Sequence, residues 1–271
     1  MTTNVAKHRH SVHGGYPRGE ETRARIIAAA MQLFGAKGFE GASTRDIAAA
    51  AGVNAPALQY YFDSKEGVFR ACIEFIAERA WESLSESVVA AEGLVAGRAG
   101  VEALIEAYCD LQTRATEFKF KAQTEDGWRL FIARQQAGLD PDIGFEAVFR
   151  RISRRTFAVA AAIIAQLMGR EAEDEEAGVR AFALSGQFQV FHVCRRTALA
   201  LLDWREIDAD RQELVKRLVR DQTRAVLSGL AAQKHAAAAT AGTSAKGAQA
   251  PGAGAKLTPS KRPRPRKYIG R

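Results

Sequence analysis

From about Arg18 to about Ala232, apolar residues recur every three or four positions, and Gly or Pro punctuation cuts the run into about nine segments. That spacing puts the apolar side chains on one face of a helix, and no stretch alternates as a half-buried strand would, so an all-α fold is predicted. The first helix spans about Glu20 to Lys37, with Ile26, Ile27, Ala30, Leu33 and Phe34 on its inner face and Gly38 at its end. A second runs from the N-cap Ser43 to about Ala51, with Ile47 and Ala48 inward. A third opens on Asn54, carries Pro56 in its first turn, where a missing N–H costs nothing, and ends near Phe62. Asp63 or Ser64 then caps a fourth, about Lys65 to Ser87. Five more are expected near Val101–Glu117, Trp128–Gly138, Asp142–Met168, Glu173–Leu202 and Asp208–Ala232.

The junction between the second and third helices carries the first hint of function. Two helices crossing steeply through a tight turn need a small residue at the crossing, a residue tolerant of positive φ in the turn, and an apolar lock beyond it. Ala48, Gly52 and Leu58 fill those three places. This is the arrangement of a DNA-reading helix-turn-helix, whose second helix enters the major groove. A helical hairpin without a DNA role has the same three residues, so the outward face has to decide. There the third helix offers Asn54, Gln59, Tyr60 and Tyr61, the second begins with Thr44 and Arg45, and Lys65 opens the fourth, all suited to phosphate or base edges.

The run TRARIIAAAMQLFGAKGFEGASTRDIAAAAGVNAPALQYYFDSKEGVF resembles the DNA-binding domain of the TetR family over its whole length of about fifty residues. The resemblance implies that Thr44, Arg45, Asn54, Ala55, Pro56, Ala57, Gln59, Tyr60, Tyr61 and Lys65 hold the DNA-facing positions. Gln59 stands where many members have Tyr, which leaves the base preference there open. Further on, WRLFIARQQAG with the following Pro141, and SGQFQVFHVCRR, resemble the effector domain of a CecR-like subgroup. That second likeness implies a small-molecule effector and control of a drug-export operon; repression and homodimerisation are likewise implied by the family.

Four domains are expected: 1–17, a flexible arm; 18–64, the helix-turn-helix head; 65–232, a helical ligand-binding and dimerisation body; and 233–271, a disordered basic tail. The last two helices of the body, with Ala181, Leu184, Phe188, Phe191 and Leu199 on one and Leu214, Leu218, Val226, Leu227 and Leu230 on the other, would form a four-helix bundle with a second subunit or pack within one chain. Polar residues interrupt these helices near aromatics. Trp128, Phe131, Arg134, Gln187, Phe188 and His192 are the candidates for an effector pocket, although such groups also serve as internally satisfied core polars.

Charge adds less than its total suggests. The net charge is +8, but nine Lys or Arg and no acid lie beyond Ala232, which leaves −1 for the rest. The run from Lys261 to Lys267, Arg and Pro in alternation, is either a solvated tail or an extra phosphate contact; in the second case the protein could be a non-specific architectural DNA binder. Cys72, Cys109 and Cys194 are far apart, have no metal spacing, and are expected to be reduced and buried. No apolar run spans a bilayer, no secretion signal stands at the N-terminus, and no nucleophile elbow, P-loop or HExxH occurs. A cytoplasmic, nucleoid-associated protein without catalytic residues, metal or cofactor is therefore expected.

Overall fold

The computed structural model describes residues 16–124, 128–143 and 152–247. Most of the proposed N-terminal arm and of the basic tail, including the run from Lys261 to Lys267, lies outside them, as does part of the Asp142–Met168 segment. Among the described residues all regular structure is helical, in ten helices. The head comprises α1 (Tyr16–Gly41), α2 (Thr44–Ala50) and α3 (Ala55–Phe62). The long α4 (Lys65–Ala96) leads into α5 (Val101–Thr124), α6 (Trp128–Gln136), α7 (Arg154–Met168), α8 (Glu175–Val193), α9 (Arg195–Leu201) and α10 (Ala209–Gly247). No helix here is long and apolar enough to cross a membrane.

Local signals explain most boundaries. Gly38 interrupts α1 with φ 75° and ψ 174°. The helices α2, α3 and α4 each start on a side-chain cap: Ser43 Oγ accepts from Asp46 N, Asn54 Oδ1 from Ala57 N, and Ser64 Oγ from Gly67 N, at 3.1, 2.8 and 3.1 Å. Several bounds differ from expectation; α1 spans Tyr16–Gly41 and α5 runs on to Thr124. The fourth helix runs nine residues past Ser87, through Gly93, and is capped only at Gly97. The segment read as one helix from Glu173 to Leu202 is divided at Cys194, which gives the tenth helix. The last helix reaches Gly247, since its Ala-rich stretch has high helical propensity even without a core to bury.

Two cores share α4. Its first two turns supply Val68, Phe69, Ala71, Cys72 and Ile73 to the head core, which also takes Ile26, Ile27, Phe34, Ile47, Leu58 and, from α6, Trp128 and Phe131. Its far half supplies Leu84, Val88 and Ala91 to the body core, with Leu104, Ile105, Ile163, Ile164, Leu184 and Leu227. Burial of such side chains stabilises by about 1.5–3 kcal/mol each. Cys72 and Cys109 are buried, and burial raises the pKa of both thiols. Cys194, expected inside, is exposed because it sits at the break between α8 and α9.

Candidate nucleic-acid interface

The crossing of α2 and α3 is built on small groups. Ile47, Ala48, Ala51, Leu58 and Phe62 face inward and are buried. The turn closes through Gly52 N to Ala49 O at 3.2 Å and Val53 N to Ala48 O at 2.9 Å, with Gly52 at φ +65°, a conformation that disfavours any side chain. A second small residue, unremarked in the sequence, fixes the other end of α3. A Cβ on Gly67 would come closer than 3.0 Å to the Phe62 carbonyl oxygen, so the end of α3 and the start of α4 touch backbone to backbone. The spacing FDSKEG, with its cap at Ser64, was the only local signal for it.

What remains outward is polar and protruding. Arg45, Asn54, Ala55, Pro56, Gln59 and Tyr60 are exposed, Tyr60 at 83%. Thr44, Ala57, Tyr61 and Lys65 are half-buried. Tyr60 and Tyr61 stack edge to face at 5.4 Å, and Tyr61 leans on α1 with its hydroxyl near Gly19. The Lys65 ammonium lies 4.3 Å from the centre of the Phe39 ring, which holds it beside the head and away from free solution. Asp46 at the start of α2 is drawn below the usual carboxylate pKa by its hydrogen bond with Ser43 and by Lys37, 3.5 Å away. A short helix with one buried and one projecting face, flanked by a guanidinium and an ammonium, suits a groove lined by phosphates.

The six effector candidates do not come together in one cavity, because α6 faces two ways. Trp128 packs edge-on against Phe75 at 5.5 Å and lines a cleft of about 640 Å³ with Phe75, Arg79, Phe118 and Lys121. Phe131 is fully buried in the head core, 5.3 Å from Phe69 and 6.3 Å from Phe34. Arg134 grips Asp140 through Nε and Nη2 at 2.9 and 3.0 Å, while Asp140 also accepts from the Phe39 backbone N–H at 2.9 Å. Burial raises the Asp140 pKa, but the bonds from Arg134 and Phe39 outweigh it and the carboxyl ends below its usual value. Asp140 thus clasps α6 to α1, a role invisible in the sequence because it joins residues a hundred positions apart.

Gln187, Phe188 and His192 gather elsewhere, between α5, α8 and α10. Thr223 Oγ1 donates to Gln112 Oε1 at 2.6 Å and lies 3.3 Å from Gln187 Oε1, and Gln112 Nε2 donates to Leu184 O at 2.9 Å. Lys119 donates to Gln189 Oε1 and stands 4.7 Å from the Phe188 ring; burial lowers its pKa to about 8. His192 is buried, and burial, then Lys119, Arg129 and Arg195, lower its pKa to about 4. The stripe assigned to α8 for dimerisation also turns inward: Ala181, Leu184 and Phe188 are buried within the chain, as are Leu227 and Leu230 of α10. A different α8 stripe, Val179, Phe182, Val190 and Val193, is exposed, Phe182 at 72%.

Two family models match this chain. Residues 26–72 match the model of the bacterial regulatory proteins of the tetR family, and residues 104–230 match that of the C-terminal domain of the HTH-type transcriptional dual regulator CecR. The CecR regulator of Shigella flexneri is 32% identical over 216 residues, covering 79% of this chain and 94% of its own. Among solved structures, AibR in complex with isovaleryl coenzyme A and operator DNA aligns at a TM-score of 0.54 and 15% identity, over 74% of this chain and 97% of its own. A TetR-like regulator from Rhodococcus sp. RHA1 aligns at 0.51 and 21% identity, over 77% and 96%. At those identities the structural likeness speaks for the fold alone.

Proposed function

This chain belongs to the TetR family of DNA-binding transcriptional regulators, with a CecR-type C-terminal domain, and we propose that it is a homodimeric repressor that a small molecule releases from its operator. The observation that carries the reading is the projecting α3, whose Asn54–Tyr61 face turns outward while Leu58 and Phe62 lock it from behind. Two such helices, set about 34–36 Å apart by the dimer, enter successive major grooves of a near-palindromic site. Arg45, Thr44 and Lys65 meet phosphates; Gln59, Tyr60 and Tyr61 meet bases or sugar, and Ala55, Pro56 and Ala57 leave room for the approach.

The exposed Val179, Phe182, Val190 and Val193 follow the three-and-four spacing of a helix seam, and a Cβ at Gly186 between them would meet open space. With the exposed Leu218 and Val226 of α10, this face supports a four-helix bundle with a second copy. A ligand that binds one arrangement of α4 and α6 better than the other lowers operator affinity by that difference. The proposed target is an export operon, which rests on the likeness to CecR.

A mobility-shift titration tests the reading, using the full chain, the DNA upstream of its own gene and a scrambled duplex. The operator duplex should shift selectively, and Arg45→Ala or Tyr60→Ala should abolish the shift while sedimentation still reports a dimer. Equal affinity for both duplexes would favour the architectural reading, which the nine basic residues beyond Ala232 support. Retained binding by both variants would remove α3 from the interface.

A further inference from the structure

We propose that the cleft between the start of α6 and α9, with the loop that follows α9, is the oxyanion-recognising part of the effector site. It would take a small molecule that joins a carboxylate, phosphate or sulfonate to an apolar group. The inference rests on the reading of the chain as a ligand-responsive regulator and names the chemical class of the ligand.

The cleft, of about 430 Å³, is lined by Arg129, Arg195, Arg196 and Arg205 together with Trp204 and Leu199. Four guanidiniums from segments more than sixty residues apart thus meet around one aromatic floor, and no carboxylate lines it. Three larger clefts mix both signs: Glu82 and Glu117 stand with Arg79 and Lys121, Glu106 and Asp110 with Arg114, and Glu92 with Arg155. Elsewhere on the body several arginines are held by acids, as in Arg155 with Glu92 at 2.7 Å and Arg220 with Asp110 at 2.9 Å. Among the described residues, Arg129, Arg196 and Arg205 form no ion pair.

The neighbours deepen the same field. Glu206 acts on Arg195 from one side, while Arg129 acts on it as a like charge. His192 beside them is kept neutral at pH 7 by its burial and then by Lys119, Arg129 and Arg195. Guanidinium forks match an oxyanion in paired hydrogen bonds, and Trp204, with the Arg211 guanidinium 5.5 Å from its ring, offers a flat surface for the apolar part. Position gives the site a route to the head. Arg129 follows Trp128, which packs on α4, and the same short helix ends in the Arg134–Asp140 clasp on α1.

The probe is 1-anilinonaphthalene-8-sulfonate, compared with its uncharged relative N-phenyl-1-naphthylamine, on the full chain. Fluorescence titration should show saturable binding of the sulfonate that weakens about tenfold or more in Arg129→Gln/Arg196→Gln, with the neutral dye changed by less than about twofold. Added salt should weaken the sulfonate alone. Thermal melts check folding, and Arg205→Gln, at an exposed position, gives an independent smaller loss. Equal loss of both dyes, or an unchanged sulfonate affinity, overturns the proposal. So does loss of unliganded operator binding in the double variant, which would place the cleft against DNA. Arginine-dependent sulfonate binding by a chain that ignores its operator would uphold the cleft and sink the regulator reading instead.

Discussion

Replacing Asp140 with Ala tests the clasp between α6 and α1. The carboxylate is 2% exposed and accepts from Arg134 Nε, Arg134 Nη2 and the Phe39 N–H at 2.9, 3.0 and 2.9 Å, with Gln135 Nε2 at 3.3 Å. Removing one partner of a buried ion pair costs about 3–5 kcal/mol, because the other charge is left without compensation. Arg134 keeps 29% of its side chain exposed, so water takes up part of that charge. The orphaned Phe39 amide adds about 1 kcal/mol, and a net loss of about 2–3 kcal/mol follows. At about 2–4 °C per kcal/mol for a chain of this size, the melting temperature should fall by about 4–12 °C. Asp140→Asn retains an acceptor for the amide and should recover part of the loss. Thermal and urea unfolding followed by circular dichroism measure this, and a cycle with Arg134→Ala should give a coupling of about 1 kcal/mol or more. A melting temperature within about 1 °C of the parent, or a fully additive cycle, would refute the reasoning.

Three further outcomes follow from the same structure. Gly67→Ala should destabilise the head by about 2 kcal/mol or more and cost operator binding, since its Cβ meets the Phe62 carbonyl; a mobility shift and a melt both read it. Phe182→Glu should raise the dimer dissociation constant by about a hundredfold or more in sedimentation equilibrium, and an unchanged constant would move the interface elsewhere. His192 titrates near 4 when folded and near 6.5 when unfolded, so the unfolded chain holds the extra proton between those values. Its contribution is complete above about pH 6.5 and declines as the pH drops toward 4, by at most about 1.4 kcal/mol per unit; His192→Gln should flatten that part of the urea-stability profile.

The head was readable because its determinants are local. Ser43, Asn54 and Ser64 each cap the helix that follows within three residues, and Gly52 sits in the turn it shapes. The body was readable only as a set of helices. Its helices are apolar on more than one face, so periodicity could not tell Leu184, buried in the chain, from Phe182, two residues away and exposed. Thr223 meets Gln112 across 111 residues, and Phe39 meets Asp140 across 101. Pairings of that span carry no sequence signal in a single chain. Residue type alone groups Trp128, Phe131 and Arg134 with Gln187, Phe188 and His192, whereas α6 turns Trp128 toward α4, Phe131 into the head core and Arg134 toward α1.

The Gly67 contact leaves no slack between α3 and α4. With 32 residues, α4 is a stiff rod about 48 Å long, embedded in the body through Leu84, Val88 and Ala91. About 30 Å separates that anchorage from Gly67, so a tilt of about 5° swings the reading helix by nearly 3 Å. Hydrogen bonds to base edges tolerate only tenths of an ångström. A repacking in the body too slight to alter its shape is therefore magnified at the far tip into a displacement that DNA cannot follow.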